Sequence, residues 1–189
     1  MRKNKKVLNI IYIIIIISLL MFIYSCEKKE PAVQPDPDEI MKKISEYFPG
    51  DEKLNKESIS YTSGEKSKEL SESNAAEIYS EDKDTPVDLS KIEKYAIIKA
   101  DENSAAEIGI FKLYDKMNAD YVKKMAQTRI TKMQSISASA VIKNSEFEIN
   151  LSEIINNAEV RSYGNYVYYV SHRQKDKVFG IIENCLKGV

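Results

Sequence analysis

The chain has 189 residues, of which 43% are hydrophobic and 30% are charged, and its formal net charge is -1. This balance excludes an acidic disordered tail and a basic nucleic-acid binder, so we expect no nucleic-acid partner. Residues 1–25 hold four positive charges and no acid, and the remainder carries 24 positive and 29 negative side chains, net -5. The length predicts one folded domain that can bury a core without disulfides.

The first 25 residues are typical of an export signal, with a basic start and an apolar run over 7–25. The run ends in Ile23, Tyr24, Ser25 and Cys26, which resembles the lipobox of bacterial lipoproteins. Only Tyr24 departs from that pattern, because a smaller residue is usual there. We therefore predict a lipoprotein signal peptide over 1–25, with Cys26 as the mature N-terminus and the lipidation site.

Cysteine suits this position because acylation forms a thioether on sulfur, and two or three acyl chains attach a protein stably to a membrane. An uncleaved membrane helix is the alternative, since a 19-residue run spans about 28 Å as a helix, close to the bilayer thickness. Both alternatives place the domain on the extracytoplasmic face of the cell membrane, because the basic start stays inside. The predicted membrane contact is an acyl anchor at Cys26.

Residues 26–38 are polar and contain three prolines, which predicts a flexible stalk. Residues 39–189 are predicted to form a single α+β domain, with a polar, loop-rich segment at 51–86. Asp36 and Pro37 are typical of a helix start, and this helix is expected to end near Phe48. A short helical turn is predicted around 74–79.

Strand-like runs occur in two pairs and predict two β-hairpins. The runs cover 95–100, 108–114, 158–163 and 166–171. The second pair is joined by Gly164 and Asn165, a two-residue linker typical of a tight turn.

Amphipathic helices are predicted after each hairpin, one beginning at Asn118 and the other over 175–187. A capping box at Asn150 predicts a further short helix that ends near Asn157. This order of elements favours a four-stranded antiparallel sheet with helices on one face.

Four stretches of the mature chain carry a resemblance: DLSKIEKY over 88–95, AAEIGIFK over 105–112, a long helix with Arg129, and GNYV over 164–167. Together they resemble an uncharacterised family of Gram-positive lipoproteins, catalogued as domain of unknown function 4358. The likeness runs from about Asp36 to the end of the chain, with a longer Ser- and Lys-rich insert between Asp51 and Asp84. It implies a secreted, lipid-anchored α+β domain and supplies no activity.

The sequence contains no recognisable set of catalytic or metal-binding residues. His172 is the only histidine and follows the last predicted strand, where a surface position is expected. Without a second histidine or a cysteine pair, we predict no metal site and no cofactor. Cys185 lies on the apolar face of the last predicted helix, so we expect a small buried hydrophobe rather than a nucleophile.

Acid pairs such as Glu146 and Glu148 would suit a hydrolase, but such pairs arise by chance in a chain this rich in charge. The sequence therefore favours a non-catalytic binding or accessory module of the cell envelope. Its ligand would be an envelope protein, a cell-wall component or a small anion. An envelope hydrolase that uses carboxylates is the alternative.

Arg129 is the one charged residue on an otherwise apolar helical stripe, whose other members are Val122, Ala126, Met133, Ile136 and Ala140. A buried guanidinium must be paired or reach water along its stem, because an unpaired buried charge costs several kcal/mol. Glu107, at the start of the second strand, is the predicted partner in a clamp between helix and sheet. An anion-binding role for Arg129 is the alternative.

Tyrosines crowd the second hairpin, at positions Tyr163, Tyr166, Tyr168 and Tyr169. Strand alternation sends them to both faces of the sheet. We expect half-buried strand aromatics, and the alternative is an exposed tyrosine face that contacts proteins or glycans.

Overall fold

The computed structural model describes residues 34–51, 54, 58–82, 84–99, 105–141 and 146–189, and for 138–141 and 146–150 it describes the backbone alone. The predicted signal peptide, Cys26 and the stalk up to residue 33 lie outside the described residues. The helices are α1 (Pro37–Tyr47), α2 (Glu72–Tyr79), α3 (Ala119–Val141), α4 (Glu146–Asn156) and α5 (Lys175–Lys187). The strands are β1 (Tyr61–Thr62), β2 (Ile92–Ile98), β3 (Glu107–Leu113), β4 (Glu159–Tyr163) and β5 (Tyr166–Ser171).

The strands form one antiparallel sheet in the order β1-β2-β3-β5-β4. Both predicted hairpins, β2-β3 and β4-β5, are confirmed. The turn of the second hairpin places Gly164 at φ 57°, a left-handed conformation that glycine adopts without strain. The prediction of four strands misses β1, in which Tyr61 pairs with Ile97 inside the segment predicted to be mostly loop. A strand of two residues is too short to show an alternating pattern in the sequence, so only its pairing with β2 identifies it.

The two ends of the sheet differ in what adjoins them. One end holds Ile92, Leu113 and Tyr166, and we call it the Pro35 end because the Tyr166 hydroxyl donates to the Pro35 carbonyl at 2.7 Å. The opposite end, called the Glu107 end, holds Ile98, Glu107 and Ser171.

Helices cover both faces of the sheet. α1 and α5 pack on one face, α2 and α3 pack on the other, and α4 lies beside α3. The prediction of helices on one face is wrong, because β3 and β5 are buried along their whole length and neither face can be left in water. For the same reason Tyr166, Tyr168 and Tyr169 are fully buried, so the alternative of an exposed tyrosine face on this strand is also wrong.

The domain begins within the predicted stalk. Pro37 is buried in the first turn of α1. The Asp36 carboxylate pairs with the Lys94 ammonium at 2.5 Å, and Asp38 accepts a hydrogen bond from the Thr62 hydroxyl at 2.6 Å. The prediction that the stalk extends to residue 38 is therefore wrong for residues 35–38, because these contacts fix them against β1, β2 and β5.

Two predictions about helices need correction. α4 begins at Glu146, so Asn150 lies inside the helix rather than at its cap. On α3, Arg129 and Met133 are buried as expected, but Ile136 is exposed and Ser137 is buried in its place. At about 100° per residue, positions 136 and 137 lie about equally far on either side of the stripe, so helical spacing alone does not decide which of them is buried.

Candidate functional site

A bidentate ion pair joins α3 to the start of β3. Arg129 donates from Nε to Glu107 Oε1 at 2.7 Å and from Nη2 to Glu107 Oε2 at 2.6 Å. Glu107 is 0% exposed and Arg129 is 8% exposed. The predicted contact between these two side chains is confirmed. Its fork-to-carboxylate geometry is the strongest form of such a pair.

Two tyrosines extend this pair into the core. The Tyr169 hydroxyl donates to Glu107 Oε1 at 2.8 Å, and the hydroxyl oxygens of Tyr79 and Tyr169 are 3.0 Å apart. Because Tyr169 gives its only hydroxyl proton to the carboxylate, Tyr79 must be the donor to Tyr169. We call these four residues the clamp network: proton donation runs from Tyr79 to Tyr169 to Glu107, and Arg129 donates from the other side.

The electrostatics favour a charged Arg129 guanidinium and neutral Tyr79 and Tyr169 phenols in the clamp network. Burial works against the charge of Arg129, but the hydrogen bonds and attraction of Glu107 outweigh burial and raise the pKa of the guanidinium. Burial, with the neighbouring charge of Glu107, raises the pKa of Tyr79 and of Tyr169 above the ordinary value. Both phenols therefore stay neutral and remain donors at physiological pH.

This arrangement is structural rather than catalytic. Glu107 is enclosed, and its two oxygens accept from Arg129 and Tyr169, so substrate and water do not reach it. The same enclosure disfavours the alternative that Arg129 binds a free anion. The network instead ties α2 and α3 to β3 and β5.

The tyrosine members of the clamp network were not predicted. The one trace of Tyr169 in the sequence is Gly109, a glycine inside a predicted strand two residues after Glu107, and its pairing with Tyr169 is visible only in the structure. A glycine beside a large aromatic leaves room for the ring. The sequence offers no comparable signal for Tyr79, because this residue lies on α2 and reaches Tyr169 only through tertiary packing.

His172 is buried, so the prediction of a surface histidine is wrong. Its Nδ1 accepts from the backbone N–H of Gln174 at 3.1 Å, which leaves the proton on Nε2, and Nε2 donates to Asp51 Oδ2 at 3.0 Å. The imidazole also packs edge-on against Phe48, with ring centres 5.6 Å apart. Both nitrogens are engaged, so the residue joins the end of α1 to the turn after β5.

The remaining predicted candidates have these positions. Cys185 is a free, buried thiol within the apolar face of α5, as expected. Glu146 and Glu148 lie in α4, where their side chains are outside the described part of the chain. Within the described ranges, no group of three or more His, Cys, Asp or Glu side chains is arranged to hold a metal ion.

A charged cluster on the surface, not predicted from the sequence, links the edge strand β4 to α5. Arg161 donates to Glu159 at 2.8 Å and to Glu183 at 3.1 Å, and its guanidinium lies 3.9 Å from the centre of the Phe179 ring. The hydrogen bond from Arg161 lowers the pKa of Glu159. For Glu183, partial burial acts in the opposite direction, but hydrogen bonds from Lys187 and Arg161 lower its pKa. Partial exposure limits each such pair to about 1 kcal/mol or less.

Three large apolar side chains are exposed in one segment at the Pro35 end. They follow β3 and enter α3: Tyr114 is 69% exposed, Met117 82% and Tyr121 37%. The Tyr121 hydroxyl accepts from the backbone N–H of Asp88 at 2.7 Å, and the Lys91 ammonium lies 5.4 Å from the centre of its ring. We call Tyr114, Met117 and Tyr121 the exposed triad.

A scan of protein-family models, a search of curated proteins and a search of solved structures each found no match to this chain. The resemblance to the lipoprotein family therefore rests on the sequence stretches quoted above. In the described part of the chain, no helix combines the length and apolar character needed to cross a membrane.

Proposed function

We propose that this chain is a lipoprotein held on the extracytoplasmic face of the cell membrane by acyl chains on Cys26. The folded domain acts there as a non-catalytic binding or accessory module of the envelope. The observation that carries the proposal is the order of a basic start, an apolar run and then Ile23-Tyr24-Ser25-Cys26. The resemblance to the Gram-positive lipoprotein family agrees with this order.

The chemistry of the domain supports the non-catalytic part of the proposal. The buried carboxylate of Glu107 and the two ring nitrogens of His172 have hydrogen-bond partners within the domain, and the thiol of Cys185 is buried. A carboxylate-based hydrolase, the alternative, requires two carboxyl groups that substrate and water can reach. Glu107 is enclosed and does not meet that requirement.

The anchor is tested by labelling cells with a fatty-acid analogue and isolating the protein. We expect the wild type to carry the label and Cys26→Ala to lose it, because the thioether forms on that sulfur. Cys185→Ala is the matched control, since Cys26 and Cys185 are the only cysteines and the control should keep the label. A labelled Cys26→Ala protein would contradict the proposal, and a wild type that retains residues 1–25 would favour the uncleaved membrane helix.

The non-catalytic role is tested on isolated cell envelopes incubated with the purified protein. We expect no release of soluble sugars or peptides that grows with time and protein amount. Release of sugars or peptides by the wild type would contradict the non-catalytic role. If that release persists in Arg129→Lys, or in another folded variant of the clamp network, the hydrolase would use carboxylates other than Glu107.

A further inference from the structure

The exposed triad lies at the end of the domain from which the chain leads toward Cys26. Tyr114 follows directly after Leu113 of β3, and Leu113 accepts a hydrogen bond from the Asn165 side chain beside Tyr166. The Tyr166 hydroxyl in turn donates a hydrogen bond to the Pro35 carbonyl. The triad and the chain leading toward the anchor therefore meet at the Pro35 end.

The length of chain between the anchor and the domain limits how far this end can stand from the membrane. Eight residues, 27–34, lie between the acylated position and Pro35, so nine steps of the chain join the two. Even fully extended, this segment spans at most about 32 Å. Under the proposed anchor, the Pro35 end is the part of the domain held within that distance of the lipid.

The chemistry of the triad suits the region between lipid headgroups and acyl chains. Tyrosine is enriched there because its ring enters the apolar region while its hydroxyl stays hydrated, and methionine adds flexible apolar surface. Apolar side chains exposed singly elsewhere, such as Tyr47 and Ile136, need no special explanation. Three of the six exposed large apolar side chains in the described residues fall within 114–121, a concentration of apolar surface that a contact would explain.

The segment that carries the triad, 114–124, holds three lysines and two aspartates, so this surface lacks the large basic excess of an electrostatic lipid-binding site. Lys91 pairs with Asp88 at 2.7 Å, and Lys123 pairs with Asp120 at 3.8 Å. Attraction to anionic headgroups would require a cluster of basic residues in excess. The contact therefore depends on apolar burial and not on the net charge of the lipid.

We infer that the exposed triad rests on the lipid surface and orients the anchored domain, with the Pro35 end toward the membrane and the Glu107 end away from it. The inference rests on the proposed anchor at Cys26. The partner is the interfacial region of the bilayer, including that of zwitterionic lipids.

The test uses tryptophan fluorescence, because the chain contains no tryptophan. Full-length Met117→Trp is purified from membranes and reconstituted into phosphatidylcholine vesicles whose acyl chains are either plain or brominated. Brominated chains should quench about half of its emission, since interfacial side chains sit about 5–10 Å deep. The quenching should not change with salt. Tyr114→Trp is a second probe of the same segment.

Tyr47→Trp is the matched control, because Tyr47 is also exposed but contacts Phe48, which packs against His172 at the Glu107 end. Its emission should be the same in plain and brominated vesicles. Equal quenching of the probes at positions 47 and 117 would overturn the inference. So would a blue-shifted probe at position 117 that bromine does not quench, which would place the triad against a second copy of the chain or another protein.

Flotation of the same samples separates the two claims. Protein that floats with the vesicles but shows no quenching at position 117 contradicts the orientation and leaves the anchor intact. Protein that does not float contradicts the anchor itself, and the orientation falls with it.

Discussion

The ring of Tyr169 occupies the space in which a side chain of Gly109 would stand. The two residues are paired across β3 and β5, and a Cβ at Gly109 would lie 2.8 Å from Tyr169 Cζ and 2.9 Å from Cδ1. Phe111 stacks on the same ring, with centres 6.3 Å apart. The glycine thus positions the Tyr169 hydroxyl to reach Glu107.

Gly109→Ala should therefore destabilise the domain by about 2 to 3 kcal/mol, because the ring must move and its hydroxyl loses the carboxylate. Urea unfolding measures the change. Gly180→Ala is the control, since nothing lies within 4 Å of a Cβ at this position in α5. The control should be neutral or more stable by up to about 1 kcal/mol. If Gly109→Ala unfolds within about 0.5 kcal/mol of the wild type, the close approach of ring and backbone is wrong.

Arg129→Met should cost about 3 to 5 kcal/mol in the free energy of unfolding, because the buried Glu107 carboxylate loses its guanidinium. Arg161→Met removes the same group from the partly exposed cluster on β4, where two surface pairs and a ring contact are lost, and should cost about 2 kcal/mol or less. The two changes are chemically identical, so their difference reports burial. A loss below about 1 kcal/mol for Arg129→Met would rule out the clamp.

The buried phenols predict a loss of stability at alkaline pH. The pKa of Tyr79 and of Tyr169 is raised by burial, whereas in the unfolded chain both titrate near the ordinary value of about 10. Their contribution is present below about pH 10 and is lost as pH rises above it, because the unfolded state releases the protons first. Tyr166 and Tyr168 act in the same direction.

Unfolding titrations at pH 9 and pH 11 test this expectation. Tyr169→Phe should lose less stability than the wild type over that interval, since it has one fewer buried phenol. The absorbance of phenolate in the folded protein should fall short of the full tyrosine content. Complete ionisation in the folded state near pH 10 would show that the phenols are not buried as described.

The local part of the fold is readable from the sequence. Gly164 and Asn165 mark the second hairpin because a tight turn needs residues that accept a left-handed backbone. The final helix is predicted with the bounds observed, Lys175–Lys187, because its apolar face repeats at helical spacing. The Glu107 contact is also predicted, since a guanidinium on an apolar stripe requires a buried partner.

What the sequence does not reveal depends on tertiary packing. β1 exists only through its pairing with β2, and the burial of His172 depends on Asp51 and Phe48, which are distant in the chain. The second layer of helices is needed because the central strands are buried on both faces. From sequence alone, a short apolar run does not distinguish a strand buried on both faces from one buried on a single face. The position of the exposed triad likewise cannot be predicted from the sequence, because only the fold brings the end of β3 and the Pro35 contact to the same end of the sheet.

The lipid anchor at Cys26 is tested by the intact mass of the protein extracted from membranes, followed by fragmentation of its N-terminus. We expect a chain that begins at Cys26 and carries diacylglycerol in thioether linkage on that sulfur. A chain that begins at Met1 with an unmodified Cys26 would contradict it.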